Sequence, residues 1–220
     1  MISHSRKMKA HSFDWAAFCG NGTKTFKPWE DGYFSHCFEQ LVFSAVSHAA
    51  VAIFSVYHYG RHTRRRVRGP IKRTAAVHLR TLISFLLALT TIALLILVPV
   101  YLHLILAWVD ILSNSIKILA WLLHCCYLWR HHRLYHLPLR GPTSLLLSVL
   151  SATISVFINL GSVIRDIQRN TGYLNLAEHY TAMVAAGLHV LYLLTLIPSS
   201  RPSLTVVGFS IQDENQSLLR

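Results

Sequence analysis

Charge is what this sequence has least of. Asp, Glu, Lys and Arg make up 14% of its 220 residues, against about 25% in a soluble domain. Acids are the scarcer half, nine against 21 Lys and Arg, for a net charge of +12. Hydrophobic residues reach 53% and mean hydropathy is +0.41, a composition for a bilayer rather than for water. No Gly-x-x-x-x-Gly-Lys-Ser/Thr run occurs, so the chain carries no P-loop for ATP. Gly-x-Ser-x-Gly and His-Glu-x-x-His are absent as well. A secretory signal is not apparent either, because the first apolar run begins only near Cys37. The polar tail before it is expected to be translocated by the first span.

What is present is organised around one basic loop, Gly60 to Arg73. It contains Arg61, Arg64, Arg65, Arg66, Arg68, Lys72 and Arg73 and no acid, with long apolar runs on both sides. Such a segment cannot enter hydrocarbon, and the positive-inside rule places it in the cytoplasm, against an anionic inner leaflet. A nucleic-acid role for the same run is set aside because of its apolar flanks. Counting from this loop gives an all-α, five-span helix bundle with its amino terminus outside and its carboxy terminus cytoplasmic. The predicted spans cover residues 37–59, 77–98, 103–127, 143–164 and 177–197, between a luminal or extracellular tail, 1–36, and a cytoplasmic linker, 198–220. The apolar run from Ala75 to Trp129 is too long for one crossing, and Pro99 places its turn at residues 98–101. Arg130, Arg133 and Arg140 form a second basic loop on the same side as the first.

Few groups in the spans carry chemistry. Asp110, Asn114 and Lys117 are offset by four and seven, hence on one helical face. That face is either a transport or proton site or a polar seam that holds helices together. The seam is the preferred reading, since no other span supplies an evident second buried charge. Ser44, Ser47 and His48 in the first span, and Ser144, Ser148, Ser151 and Ser155 in the fourth, read as packing faces. His58 with His62, and His132 with His136, repeat a His-x-x-x-His spacing used by membrane di-iron oxidases, but a third box is missing from the loops. Cys125 and Cys126 suit palmitoylation or simple burial better than a metal. In the tail, Asn21-Gly22-Thr23 is a glycosylation sequon, and Cys19 and Cys37 could close a loop in an oxidising compartment.

Three stretches resemble the amino terminus of the subfamily C ABC transporters, the multidrug resistance-associated proteins. They are Phe18-Cys19-Gly20, then Pro28-Trp29-Glu30-Asp31-Gly32, then His36 to Val42 leading into a span. Ala120-Trp121, Arg140-Gly141-Pro142, the acid at Asp110 and the tail Asp213 to Leu219 fit the same pattern. The resemblance implies an accessory five-span domain with its amino end outside, paired outer cysteines (Cys19 and Cys37) and a glycan at Asn21. It implies a chain without cofactor, metal or catalytic residue, whose role lies in trafficking, stability or docking. ATP and magnesium would belong to a full-length exporter of amphipathic anions, conjugates and lipophilic drugs, and this chain would be a fragment or truncated product of it. Expected partners are the bilayer, the core transporter domains in cis and another membrane protein, in the plasma or an endolysosomal membrane. A free-standing membrane adaptor is the alternative, and a histidine-box oxidase a weaker one.

Overall fold

A computed structural model describes residues 15–20, 28–30, 33–63, 75–102, 107–134, 142–169 and 175–196. The tail contributes a short helix α1, Trp15–Cys19, and a two-residue antiparallel ribbon, β1 (Trp29–Glu30) with β2 (Tyr33–Phe34). The first span follows as one rod in three pieces: α2 (His36–Phe38), a π-helical stretch (Glu39–Ala45) and α3 (Val46–Thr63). The remaining helices are α4 (Ala75–Leu102), α5 (Trp108–Leu134), α6 (Thr143–Arg169) and α7 (Asn175–Leu194). The first span, α4, α5 and α6 each contain a segment long and apolar enough to cross a bilayer. In α7 the apolar segment among the described residues is shorter, Tyr180–Leu194.

Local chemistry sets the helix starts and stops. Ser35 opens the first span as an N-cap, its hydroxyl accepting from the Phe38 N–H. The turn expected at residues 98–101 is not there: α4 runs through Pro99 to Leu102. Proline removes one N–H, but unwinding the helix beside it would leave several backbone groups unpaired in hydrocarbon, so the helix persists. The next helix accordingly begins later than expected, at Trp108. At its far end α6 continues to Arg169, which turns Arg165 from an expected loop residue into a helical one.

The helices close into a ring. The first span lies against α5 and α6, α4 against α5 and α7, and α6 against α7. Val51, Leu87, Trp121, Val149 and Tyr192 form the apolar centre between them. Large apolar side chains point outward instead, Ile53 and Leu147 both 65% exposed. A bundle with apolar residues on both its inside and its outside is one whose outer solvent is lipid.

Polar bonds stitch the ring from inside. Ser55 Oγ and Tyr192 OH grip the two nitrogens of buried His124 at 3.1 and 2.6 Å, joining the first span, α5 and α7. Arg80 on α4 donates to the hydroxyl and the carbonyl of Thr195, just past the end of α7, where a helix leaves carbonyls unpaired. Tyr192→Phe removes one of the His124 bonds and should cost about 1 kcal/mol. Thermal unfolding in detergent should register that loss, whereas lipid-facing Ile53→Val should leave the transition where it is.

Candidate functional site

The π-helical stretch carries an extra residue per turn, which swings Glu39, Gln40, Ser44 and Ala45 all to the interior. Opposite them runs the polar face of α5. Ser113 donates to Gln40 Oε1 at 2.9 Å and to Ser44 Oγ at 3.3 Å. Lys117 Nζ donates to Asn114 Oδ1 at 3.2 Å and to Gln40 Oε1 at 3.4 Å. Asp110 sits two turns away and is held by His36 Nε2 at 2.8 Å. The three residues of the face are therefore together on one helix, but Asp110 and Lys117 do not pair. Each is bound to the first span instead.

The expectation that no other span supplies a buried charge is corrected. Glu39 is 3% exposed; its Oε1 accepts from Ser162 at 2.7 Å and lies 3.9 Å from Arg165 Nη2. Arg165 also donates to Ser162, so one serine bridges acid and guanidinium. Glu39 and Arg165 both stand at the edge of an apolar run, where sequence assigns charges to the interface. The π-helical rotation and the extension of α6 are what bring them together. Arg80, near the start of the predicted second span, is likewise buried inside the ring.

Histidine supplies the rest of the interior. His48 Nδ1 is bonded to the Ser44 carbonyl and His189 Nδ1 to the Ala185 carbonyl, both at 2.8 Å. Each backbone carbonyl can only accept, so Nδ1 is the protonated nitrogen in both rings. The two rings flank Trp121, with His189 edge-on to it at 5.2 Å. Of the expected serine stripe, Ser144 meets His58 Nε2 at 2.9 Å and Ser155 meets Ser47 at 3.1 Å, while Ser151 faces outward. His58 is thus occupied by a hydroxyl. Among the described residues no group of three His, Cys, Asp or Glu is placed to hold a metal. His62 and His132 fall in helices whose side chains there lie outside the described residues, as does His136 entirely.

The tail is fastened to this end of the bundle. Cys19 and Cys37 form a disulfide, their Cα atoms 5.3 Å apart, packed on Val109 at the start of α5. Gly20 ends α1 with φ +87°, and a Cβ there would stand 2.9 Å from that of Ala107, so glycine is required twice over. Cys125 and Cys126 are free thiols. Asn21 and the basic-loop residues Arg64, Arg65, Arg66, Arg68, Lys72 and Arg73 lie outside the described residues; Arg61 falls in the last turn of α3.

Over residues 17–198 the chain matches the family described as the mitochondrial ABC-transporter N-terminal five TM region. It is 33% identical over 150 residues to ATP-binding cassette sub-family C member 10 of Mus musculus, covering 66% of this chain and 10% of that protein. The chain thus spans about a tenth of the length of that curated relative. No solved structure matches. Peptide mapping without reductant should link Cys19 to Cys37 and leave Cys125 and Cys126 open to alkylation. Cys19→Ser should cost about 2–4 kcal/mol through the loop it opens, read as a lower unfolding temperature.

Proposed function

The chain belongs to the family of N-terminal five-span regions of ABC transporters, and from that premise we propose that it is the non-catalytic accessory membrane domain of a subfamily C exporter. The observation that carries the reading is the family match itself, which spans the whole five-helix bundle, residues 17–198. The buried polar groups support it: most of those described are engaged in bonds between spans, as in a rigid structural unit. In this reading the domain aids delivery and stability of the transporter and docks beside the core domains. ATP, magnesium and the amphipathic-anion substrates belong to the rest of the transporter, in the plasma or an endolysosomal membrane.

The proposed topology places the amino terminus outside and the Arg61 to Arg73 loop against the anionic inner leaflet. The Cys19–Cys37 bond supports it, because disulfides persist on the oxidising side of a membrane. A glycan would then sit on Asn21 and not on Asn215, whose Asn215-Gln216-Ser217 is formally a second sequon but falls on the cytoplasmic side in this topology. Glycosidase treatment should shift the mobility of the chain, and Asn21→Gln should abolish that shift while Asn215→Gln leaves it intact. The reverse pattern would invert the topology.

Function is tested by joining this chain to the mouse relative after removing that protein's own amino-terminal region. The amount at the target membrane should rise, and ATP hydrolysis per molecule should stay constant. Unchanged delivery together with altered hydrolysis would overturn the accessory role.

A further inference from the structure

The closed ring leaves a cavity of about 210 Å³ to which all five spans contribute. It is not uniformly polar. Leu87 and Leu94 from α4 and Val156 and Val163 from α6 give it apolar wall, and Trp121 and Lys117 come from α5. Near the end where exposed His36 meets Asp110, one acid and one imidazole already engage each other at 2.8 Å. Deeper along α5 stands Lys117, and its offset of seven from Asp110 corresponds to about 10 Å of helix rise.

Lys117 is the unusual group. Its hydrogen bonds among the described residues go to the side-chain oxygens of Asn114 and Gln40, both neutral amides. An ammonium has three N–H donors, so one remains for a ligand. A cation inside a bundle is ordinarily matched by an acid, and here the nearest acid on its own helix is committed to His36. Gln40 Oε1 is also shared, since it accepts from Ser113 as well. Asn159 on α6 adds a side-chain amide to the same lining, able to donate a further hydrogen bond.

We propose that this cavity binds one small organic monoanion, a carboxylate about the size of benzoate, with Lys117 as its counter-ion. The size follows from volume, since a cavity of about 150 Å³ takes benzene. The single charge follows from Lys117, the one lysine or arginine among the described residues that line the cavity: a dianion would bring one negative charge too many into low dielectric. The organic body follows from the leucine and valine walls, which an inorganic ion would leave facing water. This assignment concerns the bundle interior and does not depend on the accessory role proposed above.

The test is titration calorimetry of the whole chain in uncharged detergent with sodium benzoate, at constant ionic strength. Saturable binding of one benzoate per chain is expected, with neutral benzamide weaker by about tenfold or more, the value of one charge-assisted bond. Lys117→Met should abolish the preference for benzoate. Should that variant not fold, Ala182→Leu, which fills the cavity from α7 and leaves Lys117 in place, must weaken benzoate binding. Mass spectrometry of the chain purified without added ligand separates two sources of the carboxylate. A retained short-chain fatty acid, no larger than the cavity admits, that Lys117→Met or Ala182→Leu loses supports a lipid source; a chain free of fatty acid that takes up benzoate supports a soluble one. Equal binding of benzoate and benzamide, or neither benzoate binding nor a retained short-chain fatty acid, would overturn the assignment.

Discussion

Hydrocarbon offers no water to hydrogen-bond, and the arrangement of this bundle follows from that. Every polar side chain carried into the membrane must find its partner on a neighbouring helix or on its own backbone. Here the partners are mostly on neighbours: Ser113 with Gln40, Ser47 with Ser155, His58 with Ser144, His124 with Tyr192. Bonds of this kind are individually modest, averaging about 0.6 kcal/mol in a bilayer. Their directionality is what matters, since apolar side chains alone would let helices slide or rotate against each other. The polar residues fix the rotation of each helix, and the apolar ones fill what lies between.

Ring closure explains both the π-helical stretch and the cavity. An ordinary α-helix entering at Ser35 would present fewer of its first polar residues to the centre. Winding Glu39–Ala45 more loosely turns Glu39, Gln40 and Ser44 inward together. Glu39 then reaches Ser162 and Arg165 on one neighbour, and Gln40 reaches Ser113 and Lys117 on the other. The first span is thus held on both flanks at its amino-terminal end. Five helices joined in a ring cannot all touch at the axis, so a space remains where the polar faces meet. The polar face of α5 forms part of its lining, which is why Lys117 stands there rather than in lipid.

The bundle was legible in the sequence because it is written in composition and length. Apolar runs of bilayer length, a basic loop without acids and a shared face for Asp110, Asn114 and Lys117 are one-dimensional signals. The pairing of charges was not legible, because it depends on helix rotation. Glu39 and Arg165 are 126 residues apart and each reads as an interfacial charge until the π-helical winding and the length of α6 are known. The helix through Pro99 was misjudged for a related reason: a rule learned in water, where freed backbone groups are solvated, loses force in lipid. Arg80 stands early in the predicted second span, and nothing local points to its partner, the Thr195 carbonyl 115 residues further along the chain.

Engagement of most of the described polar groups inside the ring also constrains how such a domain can meet another membrane protein. Its outer faces present Ile53, Leu147, Ile154 and Met183, side chains as comfortable against lipid as against protein. No hydrophobic gain accompanies association in that setting, so contact within the bilayer must rest on close packing and shape. Charge is concentrated at the span ends, in the Gly60 to Arg73 loop and around Arg130 and Arg133. Orientation relative to a partner would therefore be set at the membrane surface, and affinity by the fit of rigid helices within it. A bundle locked by internal hydrogen bonds suits that division, because a rigid face loses little conformational entropy when it docks.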